Sequence, residues 1–229
     1  DWSSDVCSSD LLFLYRQART VVALTEAFKK NLVRRGIPTG KIAVIRNGAD
    51  LRRYGPRPRD IELAQQWNLE GRFVVGYVGT IGMAHGLSAV LDAAEKLSRQ
   101  TNIAFLLVGP GAEREALVAE VSRRQLTNVV FAPPQPKENM ASVWSLCDVA
   151  LVHLRDSPVF AEVIPSKMFE AMAMGVPVIL AVPAGEASQI LDECGAGIHI
   201  PPENPEVLIQ TVTRLVQDPD LRAQYAAAA

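Results

Sequence analysis

From about Gly71 onward the sequence alternates without interruption between short apolar runs and amphipathic stretches. The runs are Phe73–Val78, Ala104–Val108, Val129–Phe131, Val149–Leu154, Val178–Val182 and Gly197–Ile200, most of them lacking any polar position. A strand with one wet face would alternate polar and apolar residues, so these runs predict strands covered on both faces. The stretches between them predict helices near Leu87–Arg99, Glu113–Arg124, Glu138–Leu146, Ser166–Met174 and Glu186–Glu193. A last helix is expected after Asn204, whose side chain can cap it, with Pro205 at the first helical position. The fold class is therefore α/β, a parallel sheet with helices on both faces. Ligands of such sheets bind beyond the carboxyl ends of the strands, which directs attention to the loops that follow them.

Ahead of that series the pattern is shorter. Thr20–Leu24 reads as a strand, Thr25 as the cap of a helix reaching about Arg35, and Ile42–Ile45 as a second strand ending at Asn47-Gly48. Arg52 to Arg59 holds Gly55, Pro56, Pro58 and four arginines, the composition of a linker. Residues 1–10, rich in Ser and Asp, look non-native or disordered and form neither a signal peptide nor a coherent helix. The abrupt Ala226–Ala229 end suggests a chain that stops early.

Composition removes several functions. At 229 residues and 48% hydrophobic, the chain can bury a real core, and a formal net charge of −2 leaves no basic excess for nucleic acid. Cys7, Cys147 and Cys194 show no metal or disulfide spacing, which fits a reducing cytoplasm. His85, His153 and His199 are scattered and predict no metal site. No apolar run approaches the ~20 residues of a membrane span. Asp218-Pro219-Asp220 reads as a turn, and no nucleophile elbow is present.

Two Gly-rich loops follow the first strands of the long series. Gly79-Thr80-Ile81-Gly82-Met83-Ala84-His85-Gly86 lets the backbone approach a ligand and can expose N–H groups to phosphate, although such turns also occur for purely structural reasons. Val108-Gly109-Pro110-Gly111 is a similar turn whose Pro and Gly suffice for the turn itself. The most telling segment runs from Glu162 to Glu170. Pro165 biases Ile164 away from helix, so a helix should begin near Ser166 and aim its unpaired N–H groups at the ligand edge. Lys167 in that first turn opposes the helix dipole, a cost that a bound diphosphate would offset. Glu170 sits one turn after Ser166 in an apolar stretch, where ribose hydroxyls would suit it; pairing with a nearby Arg or Lys is the alternative.

These residues resemble the family 4 retaining glycosyltransferases with the GT-B fold. The most specific element is Glu-x7-Glu, matched by Glu162 and Glu170, with Ser166 to Val178 resembling the family's helix, turn and strand. Val44 to Asp50, Leu107 to Arg114 and Pro201 to Pro205 are similar to other stretches of the family. Gly79 to Gly86 together with Ile164-Pro165-Ser166-Lys167 resembles a bacterial surface-polysaccharide subgroup that includes aminosugar transferases. The resemblance implies that residues 11–50 end an N-terminal acceptor domain, 51–70 link the domains, and 71–229 form the donor domain. It implies a nucleotide-sugar donor, UDP-linked in this subgroup, and a saccharide or polyprenyl-linked acceptor. No metal or other cofactor and no nucleic acid are implied. The setting would be the cytoplasm or the inner face of the cell membrane.

By the same resemblance Glu170 holds the ribose, while Glu162 and the backbone of 163–166 face sugar and diphosphate. Gly79, Thr80, Gly82, His85, Gly109, Pro165, Ser166 and Lys167 complete the donor set, with Glu162 the catalytic candidate. The family carries an Arg and a Lys where this chain has Thr80 and His85. Lys167 is the expected replacement, with His85 a weaker one that would carry charge below pH 6.5. Two other readings stay open: a nucleotide-sugar 2-epimerase of the same fold, and a non-catalytic nucleotide-sugar-binding module.

Overall fold

A computed structural model describes residues 2–229, with side chains from Asp10 onward; Asp1 and the Cys7 side chain lie outside the described residues. Helix α1 spans Trp2–Gln17, where the sequence predicted no coherent helix over the first ten residues. Strands β1 (Val21–Ala23) and β2 (Ile42–Val44) pair in parallel across helix α2 (Glu26–Arg34). Thr25 caps α2 as expected, its Oγ1 accepting the Phe28 N–H at 3.0 Å. Val21, Ala23, Ile37 and Ile42 make a small core under this pair, separate from the main one.

The main body is a six-stranded parallel sheet of order β5-β4-β3-β6-β7-β8. Its strands are β3 (Phe73–Val78), β4 (Ile103–Val108), β5 (Val129–Ala132), β6 (Val149–His153), β7 (Val178–Ala181) and β8 (Gly197–Ile200). Helices α3 (Ile61–Gln66), α4 (Ser88–Lys96), α5 (Arg114–Arg123), α6 (Met140–Ser145), α7 (Ser166–Ala173), α8 (Glu186–Cys194), α9 (Pro205–Gln217) and α10 (Pro219–Ala228) complete the chain. The strands feed two cores. Val74, Ala104, Leu106, Ala150 and Leu180 face one layer, while Val75, Tyr77, Phe105, Leu151 and Ile179 face the other. Trp144, Met168 and Ala171 bring α6 and α7 to the first face. Leu91, Leu117 and Val212 bring α4, α5 and α9 to the second. Burial on both faces explains why the strands read as unbroken apolar runs.

Two local readings are corrected. Asp218-Pro219-Asp220 is the start of α10, with Asp218 Oδ1 accepting the Leu221 N–H at 2.9 Å and Pro219 in the first turn. Cap and proline act here as they do at Asn204-Pro205, where Asn204 Oδ1 accepts from Val207 N at 3.1 Å as the sequence predicted. The Arg-rich stretch is also more ordered than a linker composition suggests. Tyr54, Ala64, Trp67 and Leu69 of segment 51–70 are buried in the main core, and α3 lies within it.

Its anchor is at the foot of the sheet. Asp148, just before β6, accepts the Val74 N–H at 2.8 Å and the Arg59 guanidinium at 3.2 Å through the same oxygen. Arg59 also donates to the carbonyls of Leu69 and Arg72. Removing the carboxylate leaves a strand N–H and a guanidinium short of an acceptor at once. Asp148→Ala should therefore cost roughly 1–3 kcal/mol in urea unfolding. Arg59→Ala should couple to it by more than about 0.5 kcal/mol in a double-mutant cycle; strictly additive losses would show that the two side chains act independently.

Candidate functional site at the switch point of the sheet

Chain order reverses between β3, which continues outward to β4, and β6, which continues to β7. The loops after β3 and β6 consequently diverge, leaving a crevice at the carboxyl edge, the place where open α/β sheets bind ligands. Both segments singled out in the sequence flank it: residues 79–86 follow β3, and residues 154–166 run from β6 to the start of α7.

Backbone forms the floor of this edge. Gly79 N–H donates to the Val108 carbonyl at 2.9 Å and Ile81 N–H to the Pro110 carbonyl at 2.7 Å, joining the two Gly-rich loops. A Cβ at Gly109 would overlap the Gly79 carbonyl, and one at Gly111 the Ile81 carbonyl. Glycine is required at both positions because the two chains touch main chain to main chain.

Lys167 bends from the first turn of α7 back over this floor. Its Nζ donates to the Tyr77 hydroxyl at 2.7 Å, and the Tyr77 hydroxyl donates to the Thr80 carbonyl at 2.6 Å. The amine lies 3.9 Å from the centre of the Tyr77 ring, and its tip would be 3.1 Å from a Cβ placed on Gly79. Burial lowers the Lys167 pKa to about 7 against a smaller upward pull from Glu170. Tyr77, buried beneath it, is pushed well above the usual phenol range by desolvation. No carboxylate hydrogen-bonds this amine among the described residues, so it meets the crevice as a weakly compensated cation.

Glu170 lies one turn further along α7. Its Oε2 accepts the Trp144 indole N–H at 3.4 Å, a long bond to a neutral donor rather than a pair with an arginine or lysine. Tyr54, from the segment before β3, is buried beside it; burial first and the Glu170 charge second raise the Tyr54 pKa. Pro165 and Ser166 stand at the head of α7, and Ser166 is exposed. Glu162 ends a short 3-10 turn, Pro158–Glu162, ahead of them.

His85 closes the far end of the first loop, its Nδ1 3.2 Å from the Gly82 carbonyl and its ring edge-on to Tyr77 at 5.8 Å. Burial and then Lys167 lower its pKa to about 4. The imidazole is therefore neutral in the range where the sequence gave it charge, and it cannot substitute there for a phosphate-binding cation. Gly79, Thr80, Gly82, His85 and Gly109 thus meet Lys167 around one edge, with Glu170 on the same helix. Sequence reasoning missed Tyr77, Tyr54 and Trp144, which read only as core aromatics. It also missed Arg155, whose N–H donates to the Ala84 carbonyl at 3.0 Å and whose guanidinium pairs with Glu113 at 3.6 Å.

The sequence matches the family model described as glycosyl transferases group 1 over residues 59–229. It is 27% identical over 217 residues to a GDP-mannose-dependent alpha-mannosyltransferase of Mycobacterium tuberculosis, covering 94% of this chain and 52% of that protein. It is also 27% identical over 170 residues to the alpha-D-kanosaminyltransferase of Streptomyces kanamyceticus, covering 73% and 42%. Among solved structures, Anabaena Alr3699/HepE in complex with UDP and glucose superposes with a TM-score of 0.80 at 25% identity, covering 93% of this chain and 57% of that one. The α/β architecture thus matches that of the GT-B glycosyltransferases. The chain spans about half the length of the curated relatives it matches. With well over half of its residues matched by the family model, this chain belongs to the glycosyl transferases group 1 family.

Proposed function

We propose that this chain carries the donor site of a retaining, family 4 glycosyltransferase that moves a sugar from a nucleotide diphosphate to a saccharide or polyprenyl-linked acceptor. The observation that carries this reading is the meeting of Lys167 with the start of α7 over the glycine floor, with Glu170 one turn away. A diphosphate placed there meets a cation and unpaired helix N–H groups together, and both gain strength as the leaving group gathers charge. Ser166 and the backbone of 163–166 are its further donors. Glu170, held only by a long bond to Trp144, is free to accept two ribose hydroxyls. Glu162 faces the sugar in this scheme, and the departing phosphate, rather than a protein base, assists the acceptor.

The nucleotide we favour is UDP, supported by the surface-polysaccharide resemblance and by a structural neighbour solved with UDP and glucose. A relative named for GDP-mannose makes GDP the comparison that matters. An N-acetylhexosamine or other hexose is the sugar class proposed, on the subgroup resemblance. We assign residues 11–50 to the end of an acceptor domain, 51–70 to the connection and 71–229 to the donor domain. The separate core under β1 and β2 supports that division. We place the reaction in the cytoplasm or at the inner face of the cell membrane; among the described residues no helix is long and apolar enough to cross one.

Calorimetry with uridine, UDP, GDP and ADP tests the reading. UDP should bind, and Glu170→Gln should weaken uridine and UDP about equally, by roughly 1.5–3 kcal/mol for lost hydrogen bonds to a charged group. Lys167→Ala should weaken UDP by a similar amount and leave uridine nearly unchanged. Binding of none of the four would remove the donor site, and equal losses on uridine and UDP for Lys167→Ala would remove its phosphate role.

The pH dependence has a fixed sign. Above pH 7 the diphosphate is fully ionised, while the free protein loses the Lys167 proton, whose pKa is lowered to about 7. UDP affinity should therefore fall between pH 7 and 9 with uptake of a proton on binding, measurable as a buffer-dependent heat. Lys167→Arg should flatten the profile, since guanidinium stays charged; an unchanged slope in that variant would show that another group titrates.

A further inference from the structure

His153 ends β6 at the switch point and is 2% exposed, yet the donor scheme gives it no task. Its two ring nitrogens are committed to different loops. Nδ1 lies 2.6 Å from the His85 carbonyl, and Nε2 lies 3.2 Å from the Glu203 backbone nitrogen. A carbonyl only accepts and a backbone N–H only donates, so the proton sits on Nδ1 and Nε2 carries the lone pair. The ring is the neutral tautomer, and burial lowers its pKa, which keeps it so. It ties the end of the first Gly-rich loop to the loop after β8 across the top of β7.

Other contacts converge on the same junction. Arg155, two residues on, donates its N–H to the Ala84 carbonyl, so consecutive carbonyls of the loop are both held by the end of β6. Glu203 holds an uncommon left-handed backbone, φ 50°, and its Oε2 accepts the Asp156 N–H at 2.7 Å. Gly86 fits against both, since a Cβ there would come within 3.1 Å of Glu203 Oε1 and Arg155 Cγ. The strain at Glu203 is sustained by this network, a pattern of backbone held in place for function.

We infer that His153 is a positioning residue for the donor loop, its Nδ1–H fixing the His85 carbonyl so that residues 79–86 keep the conformation that receives the nucleotide diphosphate. This rests on the donor-site reading above. With the bond intact the loop is ordered before the ligand arrives; without it, binding must order the loop as well, which weakens affinity.

Two substitutions separate the halves of the tether. Asn places its amide nitrogen at the bond distance of Nδ1 and can still donate to His85, while losing the link to Glu203. Gln reaches the level of Nε2 and can still accept from Glu203, while losing the link to His85. Hydrogen exchange of the ligand-free chain should show faster exchange across 82–87 in His153→Gln but not in His153→Asn. UDP affinity should fall about tenfold in His153→Gln, the scale of one hydrogen bond, and stay within about twofold of wild type in His153→Asn. Thermal midpoints, followed by circular dichroism, should drop comparably in both, because each leaves one buried group unpaired. Equal behaviour of the two variants in exchange and affinity would overturn the inference and leave His153 a packing residue. Wild-type protein that binds no nucleotide would instead sink the donor reading, and the exchange data alone would then decide whether the tether exists.

Discussion

Burial of the sheet on both faces is the constraint from which the site follows. Val74, Ala104, Leu106, Val149, Ala150, Ile179 and Leu180 are at or near zero exposure, so no charged group can enter through the layers. Polar chemistry is confined to the carboxyl edge, and reversal of chain order between β3 and β6 opens that edge at one place. Everything assigned to donor recognition sits within the loops that part there. The cost of keeping an amine at such an edge appears in Lys167, whose charge is opposed by desolvation. An anion arriving at the crevice restores the compensation that the protein itself withholds.

Aromatic residues adjust the two charged groups from beneath and beside. Tyr77 gives Lys167 a hydroxyl oxygen and a ring face in place of a carboxylate, which orients the amine without neutralising it. Trp144 orients Glu170 in the same way, through one N–H at 3.4 Å. Neutral partners hold a side chain in place yet leave its charge available to a ligand. Both carboxylate and amine would be poorer binding groups had they met each other.

Much of this was legible in the sequence, and the limits have physical causes. The strands showed because two-sided burial removes polar positions. The caps at Thr25 and Asn204 showed because their bonds close within three residues. Asp218 follows the same rule, yet an Asp-Pro-Asp string also begins turns, and the short connection between α9 and α10 favoured that reading. Within the site, Ser166, Lys167 and Glu170 were legible because they share one helix. Their partners were not: Tyr77 is 90 residues from Lys167, Trp144 is 26 from Glu170, and His153 is 68 from His85. Such pairs exist only once the sheet order is known. The charge state of His85 failed for a related reason, since burial and the nearby amine are properties of the assembled edge.

The main-chain contact between the two Gly-rich loops bears on how such a site can diversify. Gly109 lies against the Gly79 carbonyl and Gly111 against the Ile81 carbonyl, with no side chain between them to trim or enlarge. Neither loop can shift its path by small steps, because any added carbon forces two backbones apart. Descendants of this chain that adopt a different donor must do so by exchanging the side chains that rise from the floor, such as Thr80, Met83 and His85. Met83 is already 68% exposed and bound to little else, which makes it the position where variation is cheapest. The rigid floor and the replaceable fringe divide the loop into a part that lineages inherit and a part that they explore.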